Sequence, residues 1–162
     1  MQLESIQPIA MAKPPPVVHQ FPHRYRVVSS AEPHGEVALG STGLESLGLL
    51  PPAEFGGPGD HWSPETLLIG AISSCFVLTF RAIARVRQIP WHSLDCAVEG
   101  VLEREQGNSR FTDYTVRACL RVPAGTDVDA AERALHKAEQ GCLITSSLNG
   151  RCRLETRVEQ VA

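Results

Sequence analysis

Hydrophobic and polar positions along the chain predict a hairpin, a long helix, a second hairpin, a shorter helix and a last strand. From Arg24 to Ser30 the β-branched pair Val27 and Val28 suggests a first strand, and Glu36 to Leu39 a second, after the turn Pro33-His34-Gly35. The stretch from Pro51 to Asp60, which contains Phe55-Gly56-Gly57-Pro58-Gly59, reads as an irregular loop of the kind that walls a site. A helix start follows: Ser63 can cap, Pro64 suits the first helical position and Glu65 suits the positive end of the dipole. Arg81, Arg85 and Arg87, with Pro90 beyond, mark its end. Between these signals Leu67, Leu68, Ile69, Ala71, Ile72, Cys75, Phe76, Val77, Leu78 and Phe80 fall at nearly every azimuth, so this helix is expected to be buried all round. A chain of this size has few elements with which to wrap it, so a second copy is expected to supply part of the cover.

Two strands come next, Ser93 to Glu103 and Arg110 to Val122, across the polar turn Glu105-Gln106-Gly107-Asn108-Ser109. In the second of them Tyr114, Val116, Ala118, Leu120 and Val122 share one face, and Thr115, Arg117, Cys119 and Arg121 the other. Thr126 with Asp129 resembles a capping box that opens a helix with the apolar stripe Val128, Ala131, Leu135 and Ala138, ended by Gly141. The last strand, Arg151 to Val161, alternates Cys152, Leu154, Thr156 and Val158 with Arg151, Arg153, Glu155 and Arg157. Ahead of all this, Pro8 and the run Pro14-Pro15-Pro16 favour an extended, solvated chain. Residues 1–22 are therefore read as an arm and 23–162 as a single domain.

Length and composition narrow the picture. With 162 residues, 43% of them hydrophobic, the chain can form one real core without a staple. A net charge of −3 and no cluster of Lys and Arg with aromatics argue against a nucleic-acid partner. The longest apolar run, Leu67 to Ile72, is too short to span a bilayer, and no basic leader precedes an apolar segment, so no membrane association and a cytoplasmic location are expected. The five cysteines include no CxxC or CxxH clip, which argues against both a metal site and a secreted disulfide framework.

Intracellular thiols remain as candidate chemistry. Cys75, taken alone, reads first as a packing cysteine, because free Cys is among the most buried residue types. Cys96 and Cys152 fit packing by strand alternation, and Cys119 falls on the Arg-bearing face as an incidental surface thiol. Cys142 differs: it follows the Gly141 stop and precedes Leu143-Ile144-Thr145-Ser146-Ser147-Leu148, which can begin a short helix whose positive end favours a thiolate.

Ser63-Pro64-Glu65-Thr66-Leu67-Leu68, followed by Gly70-Ala71-Ile72-Ser73-Ser74-Cys75-Phe76, resembles the NPE-LL…A…SC segment of the OsmC/Ohr family. Gly141-Cys142-Leu143-Ile144-Thr145-Ser146-Ser147-Leu148 resembles that family's second-cysteine segment, C-P-x-S-x-x-L, with Leu143 in place of the usual proline. The order of elements is similar from about Arg24 onward. The resemblance implies an α+β fold in which antiparallel sheets wrap around long central helices in an intertwined homodimer, with two sites at the subunit boundary.

It also implies an antioxidant, stress-response peroxidase with no bound cofactor. Cys75 would attack the O–O bond of a small organic hydroperoxide and become a sulfenic acid, and Cys142 would close a disulfide onto it. An external dithiol reductant such as dihydrolipoamide, or a lipoylated protein, would restore both thiols. Trp62, Phe76 and Phe80 are the expected apolar pocket residues. Glu65 matches the family glutamate that holds an activating arginine from the first hairpin loop. This chain reads Ala31-Glu32-Pro33-His34-Gly35 there, without an arginine, so Arg24, Arg26 and His34 are the candidate cations for a thiol that burial would otherwise keep protonated. A second reading stays open on that account: a non-catalytic dimer of the same fold that binds a small apolar ligand or senses redox state.

Overall fold

The long helix begins where its cap signals place it. In the computed structural model, which describes residues 20–162, helix α1 spans Pro64–Arg87. The Thr66 N–H donates to Ser63 Oγ at 3.2 Å, and the Ser63 N–H donates to Thr66 Oγ1 at 2.8 Å, so two orphan donors of the first turn are satisfied reciprocally. Ahead of α1 lie β1 (Val28–Ser30), β2 (Val37–Gly40) and β3 (Leu47–Leu49), and after it β4 (Ser93–Glu105), β5 (Asn108–Pro123), α2 (Val128–Gln140) and β6 (Arg151–Val161). The expected arm, residues 1–22, falls outside the described residues except for its last three.

The fold is α+β, with two small three-stranded sheets, β1-β2-β3 and β4-β5-β6, and two helices. β4 and β5 form the hairpin that alternation predicts, but the strands run to within two residues of each other. Gln106 and Gly107 make the turn, both at positive φ (50° and 87°), as a tight hairpin whose twist matches its strands requires. The expectation of antiparallel sheets throughout is corrected at β6, which pairs parallel to β5 from Asp113↔Arg151 to Pro123↔Val161. The chain leaves the end of β5, returns as α2 across the sheet face and re-enters beside the start of β5; such a crossover is what parallel neighbours need.

Three local expectations change as well. α2 is capped by Asp127, whose Oδ1 accepts the Ala130 N–H at 2.9 Å, while the Thr126 hydroxyl turns back to the Pro123 carbonyl. A carboxylate one residue later wins because it reaches the first-turn amides directly. The buried stripe of α2 is Ala131, Ala134, Leu135 and Ala138; Val128, at the first helical position, is exposed. The short strand β3 has no alternating signature to announce it. It pairs antiparallel with β2, and Gly48 leaves room there for the Glu36 carboxylate, which would otherwise collide with a side chain.

The core lies between the helices and one face of the larger sheet. Ile72, Phe76, Phe80 and Ala84, one helical turn apart, pack against Tyr114, Val116, Ala118, Leu120 and Val122 from β5 and the stripe of α2. The opposite sheet face carries charge ladders, Glu99-Arg117-Glu155 and Asp95-Arg121-Glu159. Within one chain α1 is not buried all round: Leu78 is 57% exposed, and Leu67 and Ala71 on the same side are half-buried. By length and a mean hydropathy of 2.0, α1 is also apolar enough to cross a bilayer, which the count of contiguous apolar residues missed. Ser73, Ser74 and Thr79 interrupt the run without making the helix polar.

The smaller sheet holds the entry to α1. The Leu50 N–H donates to the Trp62 carbonyl at 3.0 Å, and His61 bridges Asp60 at 2.5 Å and Glu36 at 3.0 Å. Because the capping box fixes this entry, Ser63→Ala is expected to lower the unfolding free energy by about 1 kcal/mol, measured by urea denaturation.

Candidate active site

Cys75 lies on the flank of the buried stripe of α1, half-buried, with Thr79 one turn further along the same side. Cys142 follows α2 and is 1% exposed. A close passage of the α2 terminus over α1 brings them together. A Cβ at Gly141 would stand 3.3 Å from Thr79 Cγ2 and from the Lys137 carbonyl oxygen. The φ of Gly141 is −93°, so glycine serves here for proximity and not for an unusual backbone. Beyond it the chain folds on itself. The Ser146 N–H and the Thr145 hydroxyl both donate to the Cys142 carbonyl, and Thr145–Ser147 forms a single 3₁₀ turn. This leaves the N–H groups of Leu143 and Ile144 for the Cys75 sulfur.

Two opposing effects set the ionisation of Cys75. Burial is the largest single influence and pushes its pKa up, as expected for a thiol in an apolar helix. Hydrogen bonds from the Ile144 N–H, the Cys142 thiol, the Leu143 N–H and the Thr79 hydroxyl oppose it, and together they outweigh it, leaving Cys75 below the ordinary 9.0. The cation expected from Arg24, Arg26 or His34 is not among these groups; all three are exposed residues flanking or joining β1 and β2. Neutral dipoles stabilise the thiolate in its place. Leu143 contributes because it is not proline: a proline would have no N–H to offer.

The other thiols behave differently. Burial is the first cause of a raised pKa at Cys96, and at Cys152, pushed up to about 11, burial is joined by the nearby carboxylate of Glu139. Both pack against the core, as strand alternation predicts. Cys119 pairs across the sheet with Asp95 and Arg157 on the charged face. A cavity of about 770 Å³ opens beside it at Val77 and Arg117, but Arg117 is already paired with Glu99 and Glu155.

Phe76 and Phe80 are not pocket walls, contrary to expectation. They are 1% and 0% exposed, locked into the helix–sheet core, with Phe80 edge-on to Trp91 at 5.5 Å. Their helical positions face the sheet, so neither can offer surface to a substrate. Trp62 is half-exposed and lies over Gly70 near the start of α1. Glu65 stands at that same end, about 15 Å of helix rise from Cys75, and the two do not meet within one chain. It lines two cavities of about 540 Å³ each, walled in part by Pro52 and Phe55 of the Gly-rich loop region, as that loop's composition suggests.

Sequence reading missed Thr79 and the Leu143 and Ile144 amides. Thr79 could have been found, since it follows Cys75 by one helical turn. Main-chain N–H groups carry no sequence signal. Alkylation of Cys75 by iodoacetamide is expected to reach half its maximal rate at a pH below that of a free thiol. Thr79→Val and Leu143→Pro, each removing one donor, should move that midpoint upward, while Cys152 stays unreactive until about pH 11.

The sequence model of the OsmC-like protein family matches residues 57–157, which contain both Cys75 and Cys142. The uncharacterised protein YmaD of Bacillus subtilis (strain 168) is 25% identical over 107 residues, covering 64% of this chain and 71% of its own. Among solved structures, an OsmC-like protein of unknown function from Vibrio cholerae superposes with a TM-score of 0.72 at 16% identity, over 81% of this chain and 97% of that one. An organic hydroperoxide resistance protein OsmC from Legionella pneumophila gives 0.65 at 24% identity, over 85% and 98%. Since more than half the chain matches the family model and the solved relatives share its fold, the chain belongs to the OsmC-like protein family.

Proposed function

We propose that this protein is a thiol-dependent peroxidase that reduces organic hydroperoxides to alcohols. The observation that carries the reading is the hydrogen-bonded pair of thiols, with Cys75 made more acidic by two amides, a hydroxyl and the Cys142 thiol despite its burial. The Cys75 thiolate displaces an alkoxide from the peroxide O–O bond, the alkoxide takes a proton to leave as the alcohol, and the sulfur keeps one oxygen as a sulfenic acid. Cys142 then forms an S–S bond with Cys75 while the sulfenic oxygen departs as water. An external dithiol, dihydrolipoamide or a lipoylated protein, exchanges with that disulfide, becoming oxidised as both thiols return. The names of several structural relatives, which speak of organic hydroperoxide resistance, favour the same substrate class. The cycle needs its thiols reduced between turnovers, which suits the cytoplasm.

A homodimer belongs to the same proposal. The open side of α1, with Leu67, Ala71 and Leu78, is the apolar surface that a second copy would cover by the same face. A second reading, a non-catalytic dimer that binds an apolar ligand or senses redox state, draws on the sequence Ala31-Glu32-Pro33-His34-Gly35, which brings no arginine to Glu65.

Purified protein with dihydrolipoamide is expected to consume cumene hydroperoxide. Cys75→Ser should reduce this to the uncatalysed rate, and Cys142→Ser should stop after one turnover with a dimedone-reactive sulfenic acid on Cys75. Turnover that survives Cys75→Ser overturns the peroxidase reading, and failure of either thiol to oxidise favours the second. Sedimentation should give twice the chain mass, falling to a single chain, or to aggregate, in Leu78→Asp.

A further inference from the structure

A carboxylate and a further thiol meet Cys142 at the joint between α2 and β6. The Cys142 N–H donates to the Glu139 carbonyl at 3.1 Å, so this buried cysteine hangs from the last turn of α2. The carboxylate of the same Glu139 accepts a hydrogen bond from the thiol of Cys152, the second residue of β6. Cys152 packs against the core beside Tyr114, its pairing partner in β5. The titratable groups that interact with it are therefore Glu139 and Cys142 from the end of α2 and Tyr114 from β5.

A third thiol that feels the charge of Cys142 is a hazard for a cycle built on two. A Cys152 thiolate attacking the sulfur of Cys142 would form a Cys142–Cys152 bond and expel Cys75 as its thiolate. Cys75 is the more acidic thiol and so the better leaving group. The protonated thiol does not attack, so holding the proton on Cys152 holds the disulfide in place. Burial does part of this, and the charge and hydrogen bond of Glu139 add to it, with Cys152 pushed up to about 11.

We propose that Glu139 is a positioning residue that decides which thiol pairs with Cys142: by accepting the Cys152 S–H it bars that thiol from the Cys75–Cys142 disulfide. This role rests on the thiol pair of the proposed cycle and adds to it the reason that the disulfide stays where it forms. Neither Glu139 nor Cys152 belongs to α1, and the hydrogen bond between them lies within one chain.

The test oxidises the full-length protein with one equivalent of diamide, which needs no peroxide chemistry, and follows its disulfides by peptide mapping. Cys75–Cys142 is expected first. Cys142–Cys152 should follow slowly, at a rate that climbs about tenfold per pH unit to about pH 10 without levelling, as a thiol of pKa about 11 requires. Glu139→Gln keeps an acceptor without the charge, and Glu139→Ala removes both. Each should speed this exchange at about pH 8 by at least about threefold and bring its plateau to lower pH. Exchange no faster in either variant, a rate in the unmodified protein that already levels near about pH 9, or no Cys142–Cys152 bond in any of the three overturns the proposal. Should the variants not fold, the pH profile of the unmodified protein decides. Consumption of cumene hydroperoxide is read in parallel. Exchange as expected with the peroxide left intact sinks the peroxidase reading alone, and turnover with exchange indifferent to Glu139 sinks this role alone.

Discussion

The seating of one face of α1 against the larger sheet and α2 is the constraint on which the rest of the molecule depends. Ile72, Phe76, Phe80 and Ala84 recur at the helical period and are essentially inaccessible to solvent, so the helix can neither rotate nor slide without exposing all four. That fixes everything the helix carries. Cys75 and Thr79 are held on the flank facing the end of α2, Leu78 is turned outward, and Glu65 is placed at the opposite end over the Gly-rich loop.

The chemistry at Cys75 is a contest between burial and local dipoles. A thiol in this position would ordinarily be a poor nucleophile, and the sequence resemblance implies a cation as the remedy. Here the answer is geometric: Gly141 lets the chain after α2 pass close to α1, and the 3₁₀ turn beyond it turns main-chain N–H groups toward the sulfur. Hydrogen-bond donors fixed by the backbone need no reorganisation when charge appears. At Glu65 the buried Oε2 has no hydrogen-bond partner within one chain, and open space adjoins it.

Much of the fold was legible. The capping residues of α1, its basic last turn, the alternation of β5 and the span of β6 appear in the structure where local sequence puts them, because each depends on interactions within a turn or across one strand pair. The errors lie where a non-local choice intervenes. Thr126 with Asp129 reads as the cap of α2, whereas Asp127 caps it in the structure. Phe76 and Phe80 looked available for a pocket until the direction of the buried face was known.

The sequence by itself determined the two thiols, the order of elements around them and the lack of an arginine between Ala31 and Gly35, because these are properties of residue identity and of periods of two or about 3.6. Only the tertiary structure decided that β6 runs parallel to β5, that the Leu143 and Ile144 amides face Cys75, and that Glu65 shares no hydrogen bond at Oε2. Those are meetings between segments distant along the chain. They are set by the path of the backbone and by main-chain groups that every sequence possesses alike, so no local pattern encodes them.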